Sequence, residues 1–212
     1  MFYMKKIFIA LLSILFIVSF AVAENISNIK VFFIDGFEYQ KPSSSCRTSA
    51  CKALLNEINN AQKSIHFAIY GIENQPEIFN ALLAAKKRGV VVKGVTDMTQ
   101  DNTNIYADTK SFISQIQTVK TDYSIADENA KDFKEKFAIT SAIMHNKFFV
   151  FDCKKVWTGS ANISGTGTGG YNTNTVVLIN SPKVANLYVQ ELNQMYNLKF
   201  HKLKTPVQNL FN

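Results

Sequence analysis

The sequence predicts an α/β fold in which helices cover most of a β-sheet. Two observations lead to this prediction. Short apolar or alternating runs of strand length recur along the chain, separated by stretches with helical periodicity. The chain also has 212 residues, of which 47% are hydrophobic, and this is enough for a full-sized core. Strands that alternate with helices favour a sheet with helices packed against its faces.

The N-terminal segment predicts export. Lys5 and Lys6 precede an apolar run over 7–20, and Ala-Val-Ala closes the segment 1–23. This is the pattern of a secretory signal peptide with an A-x-A cleavage site, so a mature domain of 24–212 is expected. Such a protein would be periplasmic or secreted, with no stable membrane insertion after cleavage. The alternative is an uncleaved anchor, because the run approaches the roughly 17-residue lower limit of a spanning helix.

The elements of the predicted fold follow in chain order. The strands are expected at 30–34, 64–70, 90–96, 137–141, 145–151, 156–158 and 175–179. The helices are expected at 49–60, 76–88, 109–117, 127–136 and 181–195. Pro76 suits the first turn of its helix, and Gly89 supplies a left-handed stop after it. The Gly-rich loop 164–170 is expected to be mobile and to border a site, or else to be an ordinary connection.

Charge and cysteine content narrow the partner classes. Loss of the leader would remove two lysines and no acids, which lowers the net charge from +7 to +5. That excess fits a polyanionic partner such as nucleic acid or an anionic lipid surface, or it serves solubility.

Cys46 and Cys51 could form a local disulfide in an exported protein, which would leave Cys153 unpaired. The alternative is three buried thiols. No cluster of cysteines and histidines has zinc spacing, and no metal site is predicted.

The stretch HNKFFVFD, residues 145–152, carries the chemistry. In a strand, residues two apart lie on one face about 6.6 Å from each other, so His145 and Lys147 would point the same way. Two such groups on one face imply a missing anion. Phosphate fits, because lysine donates to phosphate oxygens and histidine can attack phosphorus or transfer a proton. Downstream, Ser160 and Asn162 add neutral donors that can hold phosphate oxygens.

With Asp152 and Gly159 these residues form the pattern H-x-K-x4-D-x6-G-S-x-N. It resembles the HKD signature of the phospholipase D superfamily of phosphodiesterases. Residues 64–97 are similar to the strand, helix and strand before the motif in small bacterial members, which include secreted and periplasmic endonucleases with one motif per chain. The resemblance implies a mixed β-sheet packed between helices. The reaction expected at this site needs neither a metal nor another cofactor.

The resemblance also implies two catalytic histidines. One attacks phosphorus to give a phosphohistidine, and the other protonates the leaving oxygen. This chain has one motif, and neither His66 nor His201 has a lysine two residues later. A two-fold symmetric homodimer is therefore expected, with both copies of the motif at one phosphate site. Its catalytic residues would be His145, Lys147 and Asp152, although Asp152 would tie down the strand end or orient a neighbour rather than touch substrate.

One position departs from the resemblance. Many relatives have an acidic residue near the start of the strand after the Gly-rich loop, where it orients the histidine. This chain has Asn174 there, and Glu191 lies too far along to substitute.

Three functions stay open at this level: a nuclease, a phospholipase D acting on glycerophospholipids, and a catalytically idle binding protein. Small size, positive charge and export favour the nuclease. Five lysines could contact nucleic-acid phosphates or form a solvated face, and two phenylalanines could stack bases or lie in the core. These residues are Lys131, Lys134, Lys136, Lys154, Lys155, Phe133 and Phe137.

Overall fold

The described strands assemble into a seven-stranded mixed sheet and a separate two-stranded pair. The computed structural model describes residues 28–97, 106–116, 118–121 and 143–197. Its strands are β1 Ile29–Ile34, β2 Ser64–Ile69, β3 Ile72–Glu73, β4 Val91–Thr96, β5 Val119–Thr121, β6 Lys147–Phe151, β7 Lys155–Gly159, β8 Ile163–Ser164 and β9 Asn174–Asn180. Its helices are α1 Ser49–Asn60, α2 Pro76–Lys87, α3 Asp108–Gln115 and α4 Pro182–Asn197.

The large sheet has the order β1-β9-β7-β6-β2-β4-β5. The pairs from β1 to β2 are antiparallel, whereas β2, β4 and β5 run parallel to one another. Strands β3 and β8 form the second, parallel pair. The strand that carries the lysine of the motif, β6, is central, and all five of its residues are buried. The mixed α/β fold predicted from the sequence is confirmed.

Two apolar clusters lie on opposite faces of the sheet. Phe149 and Phe151 pack with α1, α2 and α3, and Trp157 from β7 joins them. Phe148 and Val150 pack on the other face against α4. Each fully buried side chain of this size contributes roughly 1.5–3 kcal/mol of hydrophobic stabilisation, so β6 is held firmly from both sides.

Local signals at the helix ends match the structure. The Thr48 side chain accepts a hydrogen bond from the Cys51 amide at the start of α1, and Cys51 is disulfide-bonded to Cys46. Helix α2 begins at Pro76 and is followed by Gly89, whose φ of +89° is the left-handed conformation of a helix stop. No helix within the described residues is long and apolar enough to cross a bilayer.

Some expected boundaries are wrong. The expected strand 145–151 begins only at Lys147, because its neighbour β2 ends at Ile69, directly opposite. The short strands β3, β5 and β8 were not predicted, since two or three residues cannot show a period. The Gly-rich loop 164–170 is largely buried and hydrogen-bonded instead of mobile, and Thr168 contacts Gln75. The expected helix 127–136, strand 137–141 and leader lie outside the described residues.

Candidate active site

Strand register brings the ends of five strands together at one edge of the sheet. Ile69 of β2 lies opposite both Lys147 of β6 and Thr96 of β4. On the other side of β6, Gly159 ends β7 opposite Val176 near the start of β9. The residues at these ends or just beyond them are therefore neighbours. They are Tyr70, Asp97, His145, Ser160 and Asn174.

His145 lies just before β6 and is exposed. Its ring contacts the Tyr70 ring edge-on, with centroids 4.9 Å apart and an interplanar angle of 73°. Burial of the ring and the charge of Lys147 lower the pKa of His145, whereas the charge of Asp97 opposes this shift. A lowered pKa increases the neutral fraction near pH 7, and a neutral imidazole is the form that can attack phosphorus.

Lys147 is the buried cation of the site. Its residue is 6% exposed, and its Nζ donates to the His145 carbonyl at 2.7 Å. The Nζ also lies 5.7 Å from the centroid of the Tyr70 ring. Burial lowers the pKa of Lys147 to about 8. Among the described residues no carboxylate forms an ion pair with it, so a bound anion would supply the missing counter-charge.

Ser160 and Asn162 lie in the turn after β7. The Ser160 hydroxyl donates to Asn174 Oδ1 at 2.9 Å and accepts from the Thr175 amide at 3.1 Å. The Asn162 Oδ1 is buried without a hydrogen-bond partner among the described residues. The loop that follows packs closely around Asn162, and a Cβ on Gly167 would lie 2.2 Å from the Asn162 carbonyl. Asn162 is thus held in place with part of its hydrogen-bonding capacity unused.

Asp152 lies at the opposite end of β6, roughly 16 Å from the site at the usual strand rise. Its carboxylate accepts the amide hydrogens of Gln62, Lys63 and Ser64 at 3.1, 2.7 and 3.0 Å. Burial alone would raise the pKa of Asp152, but these hydrogen bonds and Lys154 lower it overall. The geometry therefore places Asp152 at the end of the strand away from His145, where its carboxylate ties β6 to the start of β2.

Other expected residues lie away from the site. Lys155 pairs with Glu57 at 2.9 Å, and Lys154 is in the turn beside it, so both lie at the edge of the sheet opposite His145. His66 is in the middle of β2 on the α4 face, where burial and then Lys93 lower its pKa. Glu191 is exposed on α4. His201 and the remaining basic and aromatic candidates between 131 and 137 lie outside the described residues.

Two residues of the site were missed from the sequence, Tyr70 and Asp97. Asp97 is fully buried, and its Oδ2 accepts the Met144 amide hydrogen at 2.7 Å, one residue before His145. A detectable signal was available, because Asp97 directly follows the predicted strand 90–96, at the end where polar site residues can lie. Asn174, by contrast, is engaged with Ser160 and with the Asn172 carbonyl. Within the described residues no group of three His, Cys, Asp or Glu side chains could hold a metal ion.

The chain is similar to known proteins in both sequence and fold. The family profile described as cardiolipin synthase, PLD-like domain, matches residues 54–196. A phospholipase D of Rickettsia prowazekii is 28% identical over 170 residues, which are 78% of this chain and 74% of that protein. The phospholipase D family member Nuc from Salmonella typhimurium aligns with a TM-score of 0.59 and 27% identity, over 80% of this chain and 94% of Nuc. NucT from Helicobacter pylori shares the fold, with a TM-score of 0.58 and 18% identity over 80% and 95% of the two chains.

Proposed function

Because the chain belongs to the phospholipase D superfamily and is a hydrolytic phosphodiesterase, we propose that it is an exported, metal-independent, non-specific endonuclease. In this proposal residues 1–23 are a signal peptide, and 24–212 form one domain that acts in the periplasm or outside the cell. One observation carries the proposal. His145 and Lys147 meet around Tyr70 at one sheet edge, and Lys147 is buried there without a carboxylate partner among the described residues.

The reaction proceeds in two displacements. The neutral His145 attacks phosphorus, so that a P–N bond forms while the P–O bond to the leaving nucleotide breaks. The partner's His145, in its protonated form, gives its proton to the leaving oxygen. Water then attacks the phosphohistidine and loses a proton to the partner's His145. The P–N bond breaks, and both imidazoles return to their starting states.

Fixed donors stabilise the charge that develops on phosphorus-bound oxygens. Lys147 is preorganised by its bond to the His145 carbonyl, so little reorganisation is needed when an anion binds. A bound anion beside Lys147 also favours the charged ammonium group. It therefore raises the pKa of Lys147 above the value of about 8 that burial alone gives. At the same edge the side-chain amide of Asn162 adds a neutral donor, and Ser160 can add another once its hydroxyl hydrogen turns from Asn174 Oδ1 to a phosphate oxygen.

A second copy of the chain completes the site in this proposal. Each chain contributes one histidine of the H-x-K pattern, whereas the double displacement uses two. Two-fold symmetry brings identical surfaces together, so the two His145 side chains can face one phosphate across the axis. The two histidines then titrate as a coupled pair, one neutral and one protonated.

Nucleic acid is the preferred substrate because the matched family includes small exported endonucleases and because the chain is net positive. Phospholipid is a second candidate on one observation. Phe33 and Phe37 are 75% and 90% exposed near the site edge, where they could contact lipid. Asp35 and Glu38 flank Phe37, however, and two exposed carboxylates disfavour an anionic membrane surface.

The test uses purified protein lacking residues 1–23, with plasmid DNA, RNA and phospholipid vesicles as substrates in excess EDTA. His145→Ala is the inactive variant, and His66→Gln is the matched control because His66 lies outside the site. We expect nucleic acid to be cut by the wild type and by His66→Gln, but not by His145→Ala. Release of lipid headgroup would instead support the phospholipase, and no turnover of any substrate would refute both.

Subunit mixing tests the shared site. Wild-type and His145→Ala chains are unfolded together, refolded in varied proportions and assayed for cleavage. If both histidines of a dimer are needed, an equal mixture should retain about a quarter of the activity instead of about half. Sedimentation of a fully active monomer would refute the dimer.

A further inference from the structure

Asp97 is a buried carboxylate with no role in the proposed reaction so far. It directly follows β4 and has no exposed surface. Its amide donates to the Tyr70 carbonyl at 3.2 Å, and its Oδ2 accepts from the Met144 amide at 2.7 Å. Burying a carboxylate is costly unless it is hydrogen-bonded. This carboxylate places a negative charge and a hydrogen-bond acceptor directly behind the histidine segment.

The position of His145 depends on this contact. Pairing between β2 and β6 begins at Lys147, so the three residues before it have no ladder bonds to β2. The Met144 amide, one residue before His145, is instead held by Asp97. Tyr70 links the same two residues a second time. Its carbonyl accepts a hydrogen bond from the Asp97 amide, and its ring contacts the His145 ring. A shift of about 1 Å in such a reacting group can cost roughly a hundredfold in rate.

The charge of Asp97 also acts on His145. Lys147 and burial favour the neutral imidazole, and Asp97 favours the protonated one. On the other side of Tyr70, Tyr106 packs against its ring and stays neutral, because burial raises the pKa of Tyr106 to about 12. The charged group beyond Tyr106 is Glu73 of β3, whose negative charge has the same sign as that of Asp97. From β7 and β9 the site receives only neutral groups, Ser160, Asn162 and Asn174, and on the α4 side Asn146 contacts neutral Met195.

We propose that Asp97 is the positioning carboxylate of the site, which fixes His145 through the Met144 amide and sustains the protonated imidazole that the leaving oxygen requires. This assignment rests on the proposed role of His145 in phosphodiester cleavage. Asn174 cannot supply the charge, because its side chain is a neutral amide already engaged by Ser160 and Asn172.

The test separates charge from position. Asp97→Asn keeps an oxygen for the Met144 amide and removes the charge, whereas Asp97→Ala removes both. Glu191→Gln is the matched control, because it removes an exposed carboxylate on α4 that lies away from the site. The titration of His145 is followed by NMR. The chain has only three histidines, so the His145 signal is identified as the one that is missing in His145→Ala.

We expect Asp97→Asn to titrate His145 at lower pH and to move the pH optimum of kcat in the same direction, with about a tenfold loss of kcat at pH 7 and little change in KM. Asp97→Ala should lose roughly a hundredfold. Glu191→Gln should match the wild type. If Asp97→Asn does not fold, Asp97→Glu decides the matter: it keeps the charge but displaces it, so kcat should fall while the titration stays near that of the wild type.

A titration curve and a pH profile of Asp97→Asn that coincide with the wild type would overturn the proposal, as would full kcat in Asp97→Glu. The titration needs no substrate, so it tests Asp97 even if the wild type cleaves nothing. If the wild type cleaves its substrate but His145 titrates at the same pH in Asp97→Asn as in the wild type, the role of Asp97 is refuted and the proposed function is not.

Discussion

Replacement of Asp152 by alanine should destabilise the fold while leaving the chemistry intact. Its carboxylate accepts hydrogen bonds from three successive backbone amides, those of Gln62, Lys63 and Ser64. These bonds tie the end of β6 to the start of β2. Asp152 also has a φ of +52°, a left-handed conformation that Asn and Asp tolerate better than Ala. The substitution therefore removes a cap and adds backbone strain.

The size of the effect follows from these bonds. Hydrogen bonds to a charged group contribute about 1.5–3 kcal/mol each, but this carboxylate is shared and partly solvated. We take about 1 kcal/mol per bond, which gives about 3 kcal/mol for Asp152→Ala. Asp152→Asn keeps one acceptor oxygen and should lose about half of that. For a protein of this size, 3 kcal/mol corresponds to a fall in Tm of roughly 6–12 °C.

The pH dependence has a definite sign. The folded state lowers the pKa of Asp152, so its stabilisation is present above the unfolded pKa of about 3.9 and is lost as pH falls through the folded value. The difference in unfolding free energy between wild type and Asp152→Asn should therefore be largest near neutral pH. It should shrink as the solution becomes strongly acidic.

The assay is urea unfolding followed by circular dichroism at pH 7 and at acidic pH, alongside kcat at a temperature where both proteins are folded. Asp35→Ala serves as the control for loss of one exposed aspartate. A variant Asp152→Ala that keeps its unfolding free energy and loses kcat would refute the reasoning, because it would place Asp152 in the chemistry.

Three further predictions follow from single contacts. Burial lowers the pKa of Lys147 to about 8, so kcat/KM of the wild type should fall above that pH as the free enzyme loses the lysine charge. An active Lys147→Arg variant should show no such fall, because arginine stays charged. Cys153 has a φ of +54°, so Cys153→Gly should raise the unfolding free energy by about 0.5–1 kcal/mol; a loss in urea unfolding would contradict this. Trp157 donates to the Ala50 carbonyl at 3.0 Å in the core, so Trp157→Phe should cost about 1–3 kcal/mol, and an unchanged Tm would show that the bond is unimportant.

Local sequence signals were sufficient for much of the fold and for the motif. Alternation of strand and helix patterns predicts the α/β class, and Pro76 and Gly89 mark the two ends of α2. The spacing of His145, Lys147, Ser160 and Asn162 indicates phosphodiester chemistry because each residue type has its own use at a phosphate. These features depend on neighbours along the chain, which is why they are legible in the sequence.

Only the tertiary structure decided which distant residues meet at the site, because this depends on the order and register of the strands. Asp97 reaches the histidine segment only because β2 lies between β6 and β4, and Asp152 is removed from the site because β6 extends away from it. Lys155 is likewise engaged by Glu57 from α1. Such contacts join residues about 50 to 100 positions apart, and no local period encodes which strand becomes the neighbour of which.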